Sequence, residues 1–218
     1  MNRAMLERMV LRTTGWPALP PTALIAVASH LADASAAVTA GADLVDLGAA
    51  RPEVIAAFRA RHPGILVCAA GGQADVVRDV SAANAYGAQL ICEDINAARN
   101  SGIPADRILV DVLPAALPLV ARAGLAALVD ADRAAELADG ATRTDRGPAD
   151  RGPADSGRRL ADPGAAALAG VIAIAALSSW LGAAAVRTRY PLQVRRGLDM
   201  AASIRAIRPP VRAVRGLA

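Results

Sequence analysis

Aspartate and arginine recur where short apolar runs give way to loops, and these are the side chains best suited to chemistry in this chain. Asp111 closes the run that begins at Ile108, Arg187 closes the run that begins at Ala183, and Arg189 follows two residues later. Arg51 sits in the small-residue loop that follows Asp43 and Asp46. A carboxylate at a strand end can accept hydrogen bonds from ring N–H groups, and a guanidinium can clamp the oxygens of a phosphate. Asp43 and Asp46 do not form a carboxylate dyad, because a spacing of three on a strand puts them on opposite faces. Cys68 and Cys92 read as the ends of adjacent strands, within disulfide reach. No further Cys or His lies near them, so small buried hydrophobes are the default reading. His30 and His62 follow a strand and a helix and read as surface or cap residues rather than catalysts.

Composition excludes several functions. The chain has 218 residues and no lysine, so all 24 basic side chains are arginine and Schiff-base or lysine-base chemistry is ruled out. Hydrophobic residues make up 54% but aromatics only 2%, so the core must be aliphatic. The net charge of +4 does not point to nucleic acid, because the arginines are spread along the chain and aromatics do not interleave with them. Two cysteines without a CxxC, and an amino terminus without a continuous apolar run, suit a reducing cytoplasm. Residues 163–186 carry no charge and are long enough to span a bilayer. They are mostly Ala and Gly, with Ser178 and Ser179 among them, so the expectation is a buried helix and strand and no membrane.

Short buried runs alternate with helical segments, which is the α/β pattern with parallel strands. Strands are expected at 23–28, 43–47, 65–68, 89–92, 108–112, 125–129 and 183–187, and the principal helices at 31–40, 52–61, 75–86, 95–101, 114–123, 165–181 and 198–207. The fold expected is a TIM-barrel-like (β/α)8 domain, incomplete, with about seven parallel strands. Residues 1–20 read as an amino-terminal extension, with a short amphipathic helix at 2–12. Residues 21–139 and 165–218 read as two parts of one barrel. Between them, 140–164 holds the tandem repeat RGPADRGPAD at 146–155 and almost no apolar content, so it reads as a disordered insertion.

Residues 41–52, GADLVDLGAARP, resemble the second-strand signature of the dihydropteroate synthase (pterin-binding) family, roughly GADIIDIGGESTRPG. Residues 102–111, GIPADRILVD, are similar to the family's GI-x-x-x-x-I-x-L-DPG strand, and 183–189 followed by 196–207 to its last strand and closing helix. Residues 23–29 resemble its first strand. The resemblance implies a barrel that displaces pyrophosphate from a pterin methylene with the amine of p-aminobenzoate, with Mg²⁺ assisting the diphosphate. It also implies folate-type metabolism and a homodimer, or a heterodimer with an intact paralogue. By the same resemblance Asp111 would hold the pterin ring, while Arg187, Arg51 and Arg189 would hold phosphate.

Much of the family's polar set is missing. Ala26 stands at the first-strand asparagine, Cys68-Ala69 at the third-strand Asp-Thr, Cys92-Glu93 at the fourth-strand Asn-Asp, and Arg189-Tyr190-Pro191 at the final His-Asp-Val. The fifth βα unit reads as deleted. Three lost ring contacts at roughly 1–3 kcal/mol each remove about 3–9 kcal/mol. A micromolar ligand binds with only about 8 kcal/mol. The resemblance therefore implies a catalytically degenerate member, with an active synthase using substituted residues and a non-catalytic partner as the alternatives. Asp111 is either a ring contact or a helix N-cap, Arg187 either a ligand contact or half of a salt bridge, and Arg51 either a phosphate contact or a solvated loop residue.

Overall fold

A computed structural model describes residues 21–70, 74–144 and 165–207. The extension at 1–20, the repeat at 146–155 and the tail beyond 207 lie outside the described residues. Eight parallel strands pair in chain order and close into a barrel. They are β1 (Ala23–Val27), β2 (Leu44–Asp46), β3 (Leu66–Cys68), β4 (Val76–Val77), β5 (Gln89–Cys92), β6 (Ile108–Asp111), β7 (Ala126–Asp130) and β8 (Ala185–Thr188). The barrel closes where β1 pairs with β8, with Ala23 opposite Ala185 and Ile25 opposite Arg187. Around it lie α1 (Leu31–Thr39), α2 (Pro52–Arg61), α3 (Val80–Tyr86), α4 (Ile95–Asn100), α5 (Leu117–Arg122), α6 (Ala131–Thr144), α7 (Ala165–Trp180) and α8 (Pro191–Ile204).

The barrel is complete, which corrects the count of seven. The strand missed is β4, two residues long and hidden in a stretch expected to be helical from 75. Asp79 ends that stretch: its carboxylate accepts from the Ala82 backbone N at 2.8 Å and starts α3 there. Gly87, at φ 65°, closes α3 in the left-handed region that suits glycine. No whole βα unit is missing. What is short is the β3–β4 connection, seven residues from 69 to 75, and among the described residues no helix lies between these strands. Two helices, α6 and α7, lie between β7 and β8 instead. α6 runs to Thr144, so helix extends into the first residues of the stretch expected as insertion. α8 starts seven residues earlier than expected, because Pro191 stands at its first turn, where a missing N–H costs nothing.

Both faces of the strands are apolar, as a parallel barrel requires. Inward residues such as Ile25, Leu44, Val76, Ile91, Leu109 and Leu128 fill the axis. Outward residues such as Val45, Val67, Leu90 and Val110 pack under the helices with Phe58, which is fully buried. The 16-residue α7 has no charged residue and packs Val171 and Ala175 against Val194 and Leu198 of α8. Among the described residues no helix is long and apolar enough to cross a membrane.

Gly197 lets α7 and α8 come together. A Cβ there would stand 2.8 Å from Ile172 Cγ2, on a β-branched side chain that cannot turn away easily. Gly197→Ala is therefore expected to destabilise the protein by about 1–2 kcal/mol in urea unfolding, because overpacking outweighs the helix-propensity gain of about 1 kcal/mol. A stabilised variant would mean that the two helices separate freely.

Candidate functional site

Alternation along the strands decides which side chains reach the axis. Leu44, Cys68, Val76, Leu109, Leu128 and Ala185 all belong to the barrel interior. The same parity carries Asp46, Arg78, Asp111, Asp130 and Arg187 inward at or just beyond the carboxyl ends of β2, β4, β6, β7 and β8. The axis is therefore aliphatic below and charged at one mouth.

Arg187 is the centre of that mouth. Its Nε donates to Asp46 Oδ2 at 2.8 Å, and its Nη1 donates to Asp130 Oδ2 at 2.5 Å. The remaining oxygens are used as well: Asp46 Oδ1 accepts from Gly48 N at 2.8 Å and Asp130 Oδ1 from Arg133 N at 3.0 Å. Asp46 is 3% exposed. Burial works against the charged guanidinium, but the two carboxylates outweigh it and hold its pKa above the ordinary arginine value. Of the two readings open for Arg187, the salt bridge is the one this geometry contains.

Asp111 is placed differently. Its side chain is 14% exposed, and its ion-pair partner among the described residues is Arg78, at 3.8 Å. Burial makes it a weaker acid than an ordinary aspartate. Arg78 opposes that shift, Asp130 adds to it, and Arg187 and Arg133 oppose it more weakly. It does not cap a helix, since the short turn after it (Pro114–Ala116) has Leu113 as its N-cap. A partly buried carboxylate held at an energetic cost beside a mouth is a site candidate on physical grounds.

The other expected residues are dispersed. Arg189 lies outside the mouth: its Nε donates to Asp132 Oδ2 at 3.0 Å and its Nη2 to Glu136 Oε1 at 3.0 Å. Asp132 also accepts from Thr188 Oγ1 and Arg189 N, both at 2.8 Å, and so fastens the exit of β8 to α6. The hydrogen bond to Asp132 is the main reason the Arg189 pKa is raised. Arg51 is the exposed N-cap of α2, with no side-chain cap bond and no ion-pair partner among the described residues. Asp43 pairs with Arg195 at 2.5 Å and accepts from Leu24 N at 2.7 Å, apart from Asp46 as the spacing rule expects. His30 is the N-cap of α1, and His62 at the end of α2 shares a hydrogen bond of 2.9 Å with Ser35.

Two expectations about the cysteines are corrected. Cys68 and Cys92 are not on adjacent strands, because β4 lies between β3 and β5. They also face opposite ways, Cys68 into the axis and Cys92 under the helices. Burial, reinforced by the Asp46 carboxylate, pushes the Cys68 thiol up to about 12, so it stays protonated and is no nucleophile at neutral pH. Asp130 and Arg78 are not among the expected site residues, because the strand expected at 125–129 stops one residue short of Asp130 and Val76–Val77 lies in a stretch expected to be helical. Period-two alternation carried one residue further would have found Asp130.

Among the described residues no three His, Cys, Asp or Glu side chains gather so as to hold a metal ion. With Asp46 and Asp130 both on Arg187, the described residues at the mouth do not fit a resident Mg²⁺.

A closed parallel eight-stranded barrel with its polar residues at the carboxyl ends of the strands is a TIM barrel with its candidate site on the face where barrel enzymes work. The fold is that of the dihydropteroate synthases. The Yersinia pestis dihydropteroate synthase matches with a TM-score of 0.65 at 15% identity, over 91% of this chain and 99% of that one. The Coxiella burnetii dihydropteroate synthase in complex with pteroic acid matches with a TM-score of 0.61 at 17% identity, over 86% and 94%. Mycobacterium tuberculosis Rv1207 matches with a TM-score of 0.61 at 18% identity, over 90% and 98%. No family model and no curated protein matches the sequence.

Proposed function

We propose that this chain is a pterin-binding barrel of the dihydropteroate synthase type, working in folate-type metabolism in the cytoplasm, that has lost the condensation reaction. The observation that carries the reading is Asp111, partly buried at the end of β6, whose ion-pair partner among the described residues is Arg78 alone. Such a carboxylate suits the paired N–H donors of a pterin edge. The losses support degeneracy. Ala26 follows Ile25 where the family has its asparagine, and Cys68-Ala69 and Cys92-Glu93 supply no matching ring contacts. Of the arginines expected on phosphate, Arg187 and Arg189 are engaged by carboxylates, and Arg51 is left as the remaining candidate.

Calorimetry is expected to show hydroxymethyl pterin binding with a Kd of about 0.1–1 mM, the range left after several kcal/mol of lost contacts. Pterin diphosphate plus p-aminobenzoate is expected to give no product above background. Measurable product would overturn the degenerate reading, and absence of pterin binding would overturn the pterin reading.

A second reading, as the non-catalytic half of a dimer with another copy or an intact paralogue, is supported by the apolar outer face of α7 and α8. Leu177, Trp180, Met200 and Ile204 are all about half or more exposed there. Concentration-dependent sedimentation that Ile204→Glu abolishes would support it, and a monomer at all concentrations would rule out self-pairing.

A further inference from the structure

Among the described residues, the charged side chains turned toward the axis at the mouth carry more negative than positive charge. Asp46, Asp111 and Asp130 stand against Arg78 and Arg187, and Arg187 is already clasped by two of those carboxylates. In the loops above, Arg189 is engaged by Asp132 and Glu136, and Arg133 acts on Asp111 more weakly than Arg78 does. A phosphate ester brings about two negative charges into this field. Turning Arg187 toward it would strip the buried Asp46 of its counter-charge, which is strongly unfavourable. A neutral ring incurs neither cost and still offers donors to Asp111.

We propose that the mouth of this barrel selects an uncharged, nitrogen-rich ring and rejects the diphosphate ester of that ring, with the Asp46–Arg187–Asp130 clasp as the discriminating element. The inference rests on the reading of the site as a pterin site. It follows that the ligand arrives without a leaving group, as the product of a reaction that makes or releases the pterin alcohol.

The test is calorimetry with three probes, each with and without Mg²⁺: hydroxymethyl pterin, its diphosphate, and inorganic pyrophosphate. The unaltered protein is expected to bind the alcohol at least about 10-fold more tightly than the diphosphate, a difference of about 1.4 kcal/mol. Pyrophosphate is expected not to displace the alcohol. Asp130→Asn keeps an oxygen for Arg133 N while loosening the clasp, and is expected to shift the preference about 5–10-fold toward the diphosphate. Asp46→Asn is read in the same way should the first variant fail to fold. A diphosphate that binds more tightly than the alcohol overturns the inference and leaves the pterin reading standing. Binding of neither overturns both. A preference unchanged in both folded variants removes the clasp from its role and overturns the proposal as stated.

Discussion

Arg187→Met is expected to lower the unfolding free energy by about 3–5 kcal/mol, enough to unfold a protein of ordinary marginal stability. Methionine replaces most of the side-chain volume, so lost packing is a minor part of the effect. The main cost is electrostatic. Arg187 holds Asp46 at 2.8 Å and Asp130 at 2.5 Å, and without it two carboxylates remain in a largely buried mouth with no counter-charge. Urea unfolding of both proteins at neutral pH measures this. Arg187→Met combined with Asp46→Asn and Asp130→Asn is expected to recover most of the loss. A single-variant loss below about 1 kcal/mol would mean that water solvates the carboxylates and that the clasp is not a structural element.

Asp111→Asn is expected to weaken pterin binding by about 10–150-fold, the value of roughly 1.5–3 kcal/mol for a hydrogen bond to a charged acceptor. The same change is expected to raise stability slightly at neutral pH. The carboxyl is a weaker acid in the native state than its ordinary value of 3.8, chiefly through burial. Between 3.8 and the raised native value the native state binds the extra proton. Stability is therefore lost as pH rises through that window and stays lower above it. Asparagine removes that deficit, so the two thermal-denaturation curves should converge in acid and separate toward neutrality. Ligand-observed NMR for affinity and Tm against pH for stability test both halves. Undiminished binding would place the ring elsewhere, and a destabilised variant would make Asp111 a structural member of the Arg78 pair.

The strands with several consecutive apolar residues were legible because burial on both faces leaves a continuous run: β1, β5, β6, β7 and β8 fall within a residue or two of where the sequence places them. β4 was not legible. Two valines cannot be told from the start of a helix, and what makes them a strand is pairing with Cys68 on one side and with Gln89 and Leu90 on the other. The site divides in the same way. Asp111 was legible because it ends a clear strand beside a recognisable motif. Arg187 was legible as a buried cation that needs a partner, but its choice between a ligand and a carboxylate was not.

By itself, then, the sequence determined an aliphatic α/β barrel without lysine chemistry and a set of charged residues at the strand ends. Those properties follow from composition, periodicity and local motif, which act over a few residues. The tertiary structure alone decided that the barrel closes with eight strands, that Cys68 and Cys92 face opposite ways, and that Asp46 and Asp130 hold Arg187. Asp46 and Asp130 lie 141 and 57 residues from Arg187 along the chain. Only closure of β8 onto β1 and β7 brings them within hydrogen-bond reach, and hydrogen bonding at that range depends on where the whole fold places each atom.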